Sequence, residues 1–256
     1  MLVPGLASVT FRALSVPRVV DLARSCGLWT VEWDGDVHVP VHDLAGARDA
    51  RDRCAGAGLS VSAYGSGYHA GATDPAGWPA VVASAIELGA PRIRVRAGAT
   101  GSAGTSAGQR SRVVAAIRAA AECADDYGVR IAVEHRRGTL TDTPESAHRL
   151  YAEVGHGSVV PCWRPGGARD VAGAVEEVRT LLPRLTSAHV FSRDAAGGRD
   201  RLPLAAREDL WRPVLAELAR DGVDRHVLLE SVADDSPQRF REDAAVLLAW
   251  VSAVAA

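Results

Sequence analysis

The sequence contains no lysine, and all 29 of its basic residues are arginine. Schiff-base aldolases and pyridoxal-phosphate enzymes need a lysine amine for their chemistry, and a nucleotide-binding phosphate loop needs one to reach the phosphates. The absence therefore excludes these three classes of protein. Alanine and glycine are abundant beside the arginines, so a coding bias is the simplest explanation of the arginine excess.

An excess of charge, a long apolar run and metal-type cysteine spacing are also missing. The net charge is −2 and the pI about 6.4, which indicates no bulk attraction to nucleic acid or membranes. No segment approaches the roughly 18 apolar residues of a membrane span, and the amino terminus does not resemble a secretion signal. The scattered cysteines include no CxxC pair. We expect a reduced, cytoplasmic protein with no nucleic-acid or membrane partner.

Short apolar runs alternate with helical patterns along the whole chain. The runs predict strands at residues 9–12, 30–33, 59–64, 93–96, 131–134, 159–163, 186–191 and 226–230. A helix is predicted after each run, as at residues 16–26 with apolar spacing near 3.6, and pairs such as Asp74–Pro75 and Thr143–Pro144 are typical helix starts. Eight units over 256 residues have the average length of one strand–helix repeat.

This repeat predicts a single (β/α)8 TIM barrel, an α/β fold, that spans residues 1–256 as one domain. No linker, low-complexity tract or shift of composition divides the chain. The competing fold is an open doubly wound sheet, whose first strand-to-helix turn normally carries glycines that bind a dinucleotide. That turn here is FRALSVP, which contains no glycine.

Polar side chains stand at the carboxyl ends of the predicted strands, where barrels of this type place their sites. The clearest case is IAVEHRRGTLTDT, residues 131–143, in which a buried-type strand stops at Glu134 and His135. Strand alternation predicts that His135 faces away from Glu134. His189 and Glu230 end two further strands in the same manner. We expect one shared site at this end of the barrel.

Two glutamates and a histidine at one site suggest a bound cation. Carboxylates crowded in a cleft repel each other unless a cation or a proton neutralises them. Glu134, His189 and Glu230 would suit one divalent ion, Mn²⁺, Mg²⁺, Co²⁺ or Zn²⁺. Such an ion would stabilise an enediolate while Glu134 and Glu230 move a proton. That chemistry serves aldose–ketose isomerisation and epimerisation beside a ketone.

The motifs VEH, AHVF and LLES, with YGSGY and EHRRGTLTDT, resemble the xylose isomerase-like TIM barrels, a group of sugar phosphate isomerases and epimerases. The resemblance covers all eight units. It implies that a glutamate after strand five, an aspartate after strand six, a histidine after strand seven and a glutamate after strand eight bind one divalent metal. It also implies that Glu134 and Glu230 are the acid/base pair and His189 a ligand.

Strand six departs from the family pattern. VVPCWRPGG has Cys162 and Trp163 where the family carries its metal-binding aspartate, and Gly166 where a histidine usually follows. Three alternatives stay open: the other three ligands hold the metal with extra waters, Cys162 contributes a thiolate, or metal binding is lost. Strand alternation is at least as consistent with Cys162 facing the helices as with Cys162 facing the site. If Cys162 faces the helices, Trp163 would enter the cleft as an apolar platform for a sugar ring.

The remaining candidates are side chains that would contact the substrate from the ends of strands. They are Arg12, Glu32, His38, Tyr64, Arg96 and Trp163. Arg12 and Arg96 would bind a phosphate or carboxylate of the substrate, or pair with Glu32 in the barrel mouth.

The leading prediction is a metal-dependent isomerase or epimerase for a small sugar, polyol or keto-sugar derivative. Dehydration of a keto-polyol uses the same enolate-forming step and stays open. A metal-free barrel that binds a sugar-like ligand without turnover is the main alternative, because the strand-six aspartate is absent. An endonuclease acting at abasic DNA sites is a weaker one, because the metal ligands are few and the chain is not basic. Barrels of this kind often form homodimers, but no interface can be recognised in the sequence.

Overall fold

Parallel strands close into a barrel in the computed structural model, which describes residues 1–166, 170–194 and 200–255. The strands are β1 (Leu2–Ala7), β2 (Thr30–Asp34), β3 (Ser60–His69), β4 (Arg92–Arg96), β5 (Arg130–Glu134), β6 (Val159–Trp163), β7 (Ser187–Val190), β8 (Ser192–Arg193), β9 (Arg201–Leu202) and β10 (Arg225–Leu229). The barrel order is β1-β10-β7-β6-β5-β4-β3-β2, and β8 and β9 form a separate antiparallel pair. The predicted (β/α)8 barrel is confirmed.

Helices follow the barrel strands and surround them. They are α1 (Val16–Ser25), α2 (Leu44–Gly56), α3 (Trp78–Leu88), α4 (Ala107–Asp125), α5 (Pro144–Val154), α6 (Val171–Leu181), α7 (Glu208–Ala219) and α8 (Pro237–Ala255). The predicted start at Thr143 is confirmed, since its side chain accepts a hydrogen bond from the backbone N–H of Ser146. Within the described residues, no helix combines the length and apolarity that crossing a membrane requires.

The first strand lies earlier than the sequence pattern predicted. Residues 9–12 were expected to form it, but Ser8–Phe11 is a 3-10 turn and the strand is Leu2–Ala7. Pro4 and Gly5 make this segment read as a turn, whereas pairing with β10 and β2 makes it a central strand. Gly5 permits this pairing, because a Cβ there would lie 2.4 Å from the Cγ2 of Thr30.

The strands bury both of their faces, and side chains alternate between the barrel interior and the helix layer. In β4, Ile93 and Val95 pack in the main hydrophobic core, while Arg92, Arg94 and Arg96 point into the barrel. The carboxyl ends of the strands therefore receive buried charged groups from inside the barrel. This inner surface forms the site described next.

Candidate active site

Inward-facing carboxylates gather near the carboxyl ends of the strands. Glu32 lies in β2, Glu134 ends β5, and Glu230 follows β10. His189 of β7 lies between two of them, with Nε2 3.2 Å from Oε2 of Glu32 and Nδ1 3.0 Å from Oε2 of Glu230. The second approach is an ion-pair contact whose angles are not those of a hydrogen bond. The structure thus brings His189 and Glu230 directly together.

Arg94 of β4 connects two of the carboxylates. Its Nε donates to Oε1 of Glu32 at 2.8 Å, and its Nη1 donates to Oε2 of Glu134 at 3.2 Å. The Oδ2 atom of Asp34 lies 3.7 Å from Nη2. Gly65 of β3 leaves room for this guanidinium, because a Cβ at that position would be 2.6 Å from Nη2. Arg94 was not among the predicted site residues.

Arg164, directly after β6, makes the corresponding connection on the other side. Its Nη1 donates to Oε1 of Glu134 at 2.5 Å, and its Nη2 lies 3.4 Å from Oε2 of Glu230. The guanidinium carbon is 5.0 Å from the centre of the Phe191 ring, a cation–π contact that helps to orient it. Arg164 was not among the predicted site residues either.

Glu134 is surrounded by positive charge. Arg94 and Arg96 contact its Oε2, while Arg136 and Arg164 contact its Oε1. Burial alone would raise the pKa of Glu134, but the charges of Arg94 and Arg164 outweigh it and lower the pKa to about 2. Glu134 is therefore a firmly ionised carboxylate whose two oxygens are both occupied by guanidinium donors.

The neighbouring ionisable groups are shifted for related reasons. Burial would raise the pKa values of Glu32 and Glu230, but Arg94 with His189 lowers that of Glu32 to about 2. Arg164 with His189 lowers the pKa of Glu230 well below its usual range. Burial would lower the pKa of His189, yet Glu32, Cys162 and Glu230 raise it well above its ordinary value. His189 thus lies between two carboxylates that favour its protonated form.

Strand β6 has the opposite orientation from the one expected. Cys162 faces inward, with its Sγ 3.9 Å from Nε2 of His189, and packs with Ala132 and Val160. Trp163 faces the helices, is fully buried, and donates from Nε1 to Oε2 of Glu177 at 2.9 Å. The expected position of Trp163 in the cleft is therefore wrong, because strand alternation turns it outward once Cys162 is inside.

Tyr64 and His38 also lie away from the carboxylates. The hydroxyl of Tyr64 is buried and donates to the backbone oxygen of Val39 at 2.8 Å. Nε2 of His38 is 3.0 Å from the backbone oxygen of Leu14, and its ring packs edge-on against Trp33. Both side chains pack the loop after β2 outside the barrel, so the structure does not bring them to the site.

The two predicted arginines differ in position. Arg12 follows the Ser8–Phe11 turn and is exposed, because the strand that was expected to end there lies earlier. Arg96 reaches the site, with Nε 3.4 Å from Glu134 and Nη1 2.8 Å from Nε2 of His69. Because an arginine only donates, His69 accepts at Nε2, and its Nδ1–H faces the backbone oxygen of Gly98 at 3.3 Å.

His135 faces the helix layer, as alternation predicted. Its Nε2 lies 3.0 Å from the hydroxyl of Tyr151, and its Nδ1 lies 3.4 Å from Oε1 of Glu177. The prediction that it points away from Glu134 is confirmed.

The observed donor set does not fit the predicted divalent ion. Both oxygens of Glu134 bind guanidinium groups, and both nitrogens of His189 face carboxylates. Over the described ranges 1–166, 170–194 and 200–255, no three His, Cys, Asp or Glu side chains meet in the arrangement of a metal site. Arginine side chains, which cannot be metal ligands, stand between the carboxylates instead.

Residues 20–250 match the family model of the xylose isomerase-like TIM barrel. The chain belongs to this family. No curated protein matches it. The predicted resemblance is thus confirmed at the level of the family, over most of the chain.

Solved structures of the same fold resemble it at low sequence identity. The probable 3-DHS dehydratase AsbF of Bacillus anthracis is 20% identical with a TM-score of 0.81, covering 97% of this chain and 99% of its own. A xylose isomerase domain protein of Alicyclobacillus acidocaldarius is 17% identical with a TM-score of 0.75 over the full length of both chains. D-allulose 3-epimerase of a Methylomonas species, in complex with D-allulose, is 15% identical with a TM-score of 0.73, covering 97% and 96%. At these identities the likeness concerns the fold alone.

Proposed function

We propose that the cluster at the carboxyl ends of the strands transfers a proton on a small sugar, polyol or keto-sugar derivative, as an isomerase or epimerase. The observation that carries this proposal is the position of Glu230. Its side chain is 12% exposed, against 10% for Asp34, 2% for Glu32 and 1% for Glu134. Glu230 is therefore the carboxylate that a ligand in the barrel mouth reaches most directly.

The groups around Glu230 suit proton transfer next to a carbonyl. Removal of that proton leaves an enediolate, whose negative oxygen needs fixed hydrogen-bond donors. Arg164 supplies such donors beside Glu230, and its side chain is 14% exposed to the mouth. Glu230 would take the proton from one carbon and return it to the adjacent carbon, which gives the isomer, while Arg164 donates N–H groups to the developing oxyanion. An epimer would form when the enediolate turns its other face to Glu230 before the proton returns to the same carbon.

His189 and Glu134 would act as positioning residues. His189 holds Glu230 from one side and is itself fixed by Glu32. Glu134 binds Arg164 and so holds the guanidinium beside Glu230. Because Glu134 is covered by guanidinium groups, the geometry favours Glu230 over Glu134 as the proton carrier, although both were predicted as an acid/base pair.

The family neighbours support a ligand of this chemical class. One is named a D-allulose 3-epimerase in complex with D-allulose, and another a probable 3-DHS dehydratase. Proton removal beside a carbonyl would serve epimerisation, isomerisation and dehydration alike.

The test is solvent exchange, which detects proton removal without knowledge of the product. A panel of aldoses, ketoses and keto-polyols is incubated with the protein in D₂O, with chelator and separately with each of the four candidate ions. Deuterium incorporation is measured by NMR. Glu230→Gln should lower the exchange rate by about 10²- to 10⁴-fold, the usual contribution of a positioned acid or base.

Glu217→Gln is the matched control, because Glu217 pairs with Arg179 and Arg220 on the outer helices. The same chemical change there should leave the exchange rate as in the unmodified protein. Equal exchange rates in Glu230→Gln and the unmodified protein would overturn the assignment.

A second candidate is a barrel that binds a sugar-like ligand without turnover. The occupied oxygens of Glu134 favour it, since they remove one member of the predicted acid/base pair. A ligand that raises the melting temperature, with no deuterium exchange in the unmodified protein, would support binding over catalysis.

A further inference from the structure

Five site residues form a closed ring with His189 in which carboxylates alternate with guanidinium or imidazole groups. Around the ring the groups are Glu32, Arg94, Glu134, Arg164, Glu230 and His189, which returns to Glu32. The contacts between successive groups are 2.8, 3.2, 2.5, 3.4, 3.0 and 3.2 Å. Each carboxylate therefore lies between two nitrogen-bearing side chains, at least one of which is a guanidinium.

We propose that Arg94 and Arg164 carry the positive charge that a divalent ion would otherwise bring to these carboxylates, so that the site works without a metal ion. A guanidinium is charged at every accessible pH and presents N–H donors in a fixed plane. Arg94 neutralises Glu32 and Glu134, and Arg164 neutralises Glu134 and Glu230. Each carboxylate of the ring is therefore in contact with at least one guanidinium group.

The position of Arg94 is built into the barrel. Its side chain is 9% exposed and lies against Gly65, where any larger residue would meet its Nη2 atom. A dication next to Glu134 would have to displace this group or lie a few ångströms from a fixed positive charge. The barrel interior around β4 therefore opposes ion binding by both space and charge.

Arg164 follows from the sequence change on β6. Cys162 points inward in place of the carboxylate that the family resemblance leads one to expect, and the residue two positions on shares its face. Arg164 thus enters the ring from the strand that lacks the acid, and bonds to Glu134. Cys162 in β6 and Arg164 directly after it both disfavour an ion, because the first is not a carboxylate and the second is positively charged.

If the proposed function holds, guanidinium groups are the donors to the oxyanion, and this consequence alone rests on the proposed function. The inference itself concerns occupancy, and its test measures metal binding instead of turnover. The proposed function predicts a loss of deuterium exchange in Glu230→Gln, and the metal-free site predicts that no ion binds. Either prediction can therefore be contradicted without the other.

The first measurement is binding of Co²⁺, Zn²⁺ and Mn²⁺ to the unmodified protein by calorimetry and by equilibrium dialysis. We expect no bound ion whose binding depends on Glu230. About one ion per chain in the unmodified protein, lost in Glu230→Gln, would overturn the inference.

The second measurement removes the guanidinium groups. The double variant Arg94→Met, Arg164→Met removes the two guanidinium groups that lie between the ring carboxylates and should bind Co²⁺ at least about tenfold more tightly than the unmodified protein. Adding Glu230→Gln to it should abolish that gain. Arg179→Met is the matched control, because it also strips a cation from two acids, Glu176 and Glu217, but on the outer helices.

Arg164→Met alone is the fallback if the double variant does not fold, since Arg164 lies in a loop and is partly exposed. It should show the same gain in Co²⁺ affinity to a smaller extent. A folded variant, judged by circular dichroism, that gains no affinity would show that the guanidinium groups do not stand in the place of an ion.

Discussion

The barrel interior and the layer between strands and helices are built by the same strands, yet their chemistry is opposite. In β4 the inward side chains are arginines and the outward ones are Ile93 and Val95. In β6 the inward Cys162 lies beside a charged ring, whereas the outward Trp163 packs edge-to-face on Trp211. Both regions are buried, so burial by itself does not identify a core.

The difference between the two regions shows where the fold contains buried charges that are costly to desolvate. Buried ion pairs are expensive to desolvate and are rarely more stabilising than apolar packing of equal volume. In the helix layer, Glu177 accepts the indole N–H of Trp163 and lies 3.4 Å from Nδ1 of His135. The ring instead places three carboxylates in contact with two guanidinium groups, a desolvation cost that packing of the barrel does not require.

The largest effect should come from breaking the ring inside the barrel. Arg94→Met leaves Glu32 and Glu134 buried without their main cation and should lower the free energy of unfolding by about 5 kcal/mol, the upper end for a broken buried pair. Urea unfolding measures it. Adding Glu32→Gln should recover part of the loss, because one uncompensated charge disappears. Additive losses in the double variant would contradict this account.

A nearly equal loss of unfolding free energy is expected from a change in the layer between strands and helices. Trp163→Ala removes a fully buried indole and should lower the free energy of unfolding by about 4 kcal/mol. Trp163→Phe keeps most of the volume and should cost much less. If Trp163→Ala instead left stability unchanged and abolished ligand binding, Trp163 would belong to the interior.

The free energy of unfolding should change with pH by about 2–3 kcal/mol because of His226, which lies in the barrel interior near the amino-terminal ends of the strands. His226 accepts from Arg92, with 2.7 Å between Nδ1 and Nη2, and burial together with Arg92 lowers its pKa to about 4. His226 binds a proton near pH 6.5 in the unfolded chain but stays neutral at that pH in the folded protein. The folded state therefore has its full stability above pH 6.5 and loses stability as the pH falls towards 4. Stability of the unmodified protein should fall more steeply over that range than that of His226→Gln. Parallel curves would show that His226 is protonated in the folded state.

The smallest effect should be that of Tyr64→Phe in the outer layer. It removes the hydrogen bond to Val39 and should cost about 1 kcal/mol of unfolding free energy. Ligand-induced thermal stabilisation should be unchanged. Weakened ligand binding at equal stability would return Tyr64 to the site.

The residues that end apolar runs were located well from the sequence. Glu134, His189 and Glu230 all lie at carboxyl ends of strands. The apolar run shows where each buried strand ends, and in a barrel of this type that end faces the site. The segment LVPGLA was missed, since Pro4 and Gly5 are poor strand formers and only pairing with its neighbours makes it a strand.

Arg94 was visible in the pattern but was not selected. RIRVR shows by its period of two that Arg92, Arg94 and Arg96 share a face, and this signal could have placed all three together. Arg164 carried no comparable signal. Its contact with Glu134 and Glu230 depends on the curvature of the barrel, which brings β5, β6 and β10 to one centre.

By itself, the sequence determined the eightfold alternation of strands and helices, the family and the ends of strands at which polar groups lie. Only the tertiary structure decided that Cys162 points inward and Trp163 outward, and that guanidinium groups connect the carboxylates. The physical reason is that both faces of a strand in a closed parallel barrel are buried. Hydrophobic periodicity then states which residues share a face but not which face is inside, and closure of the barrel settles that choice.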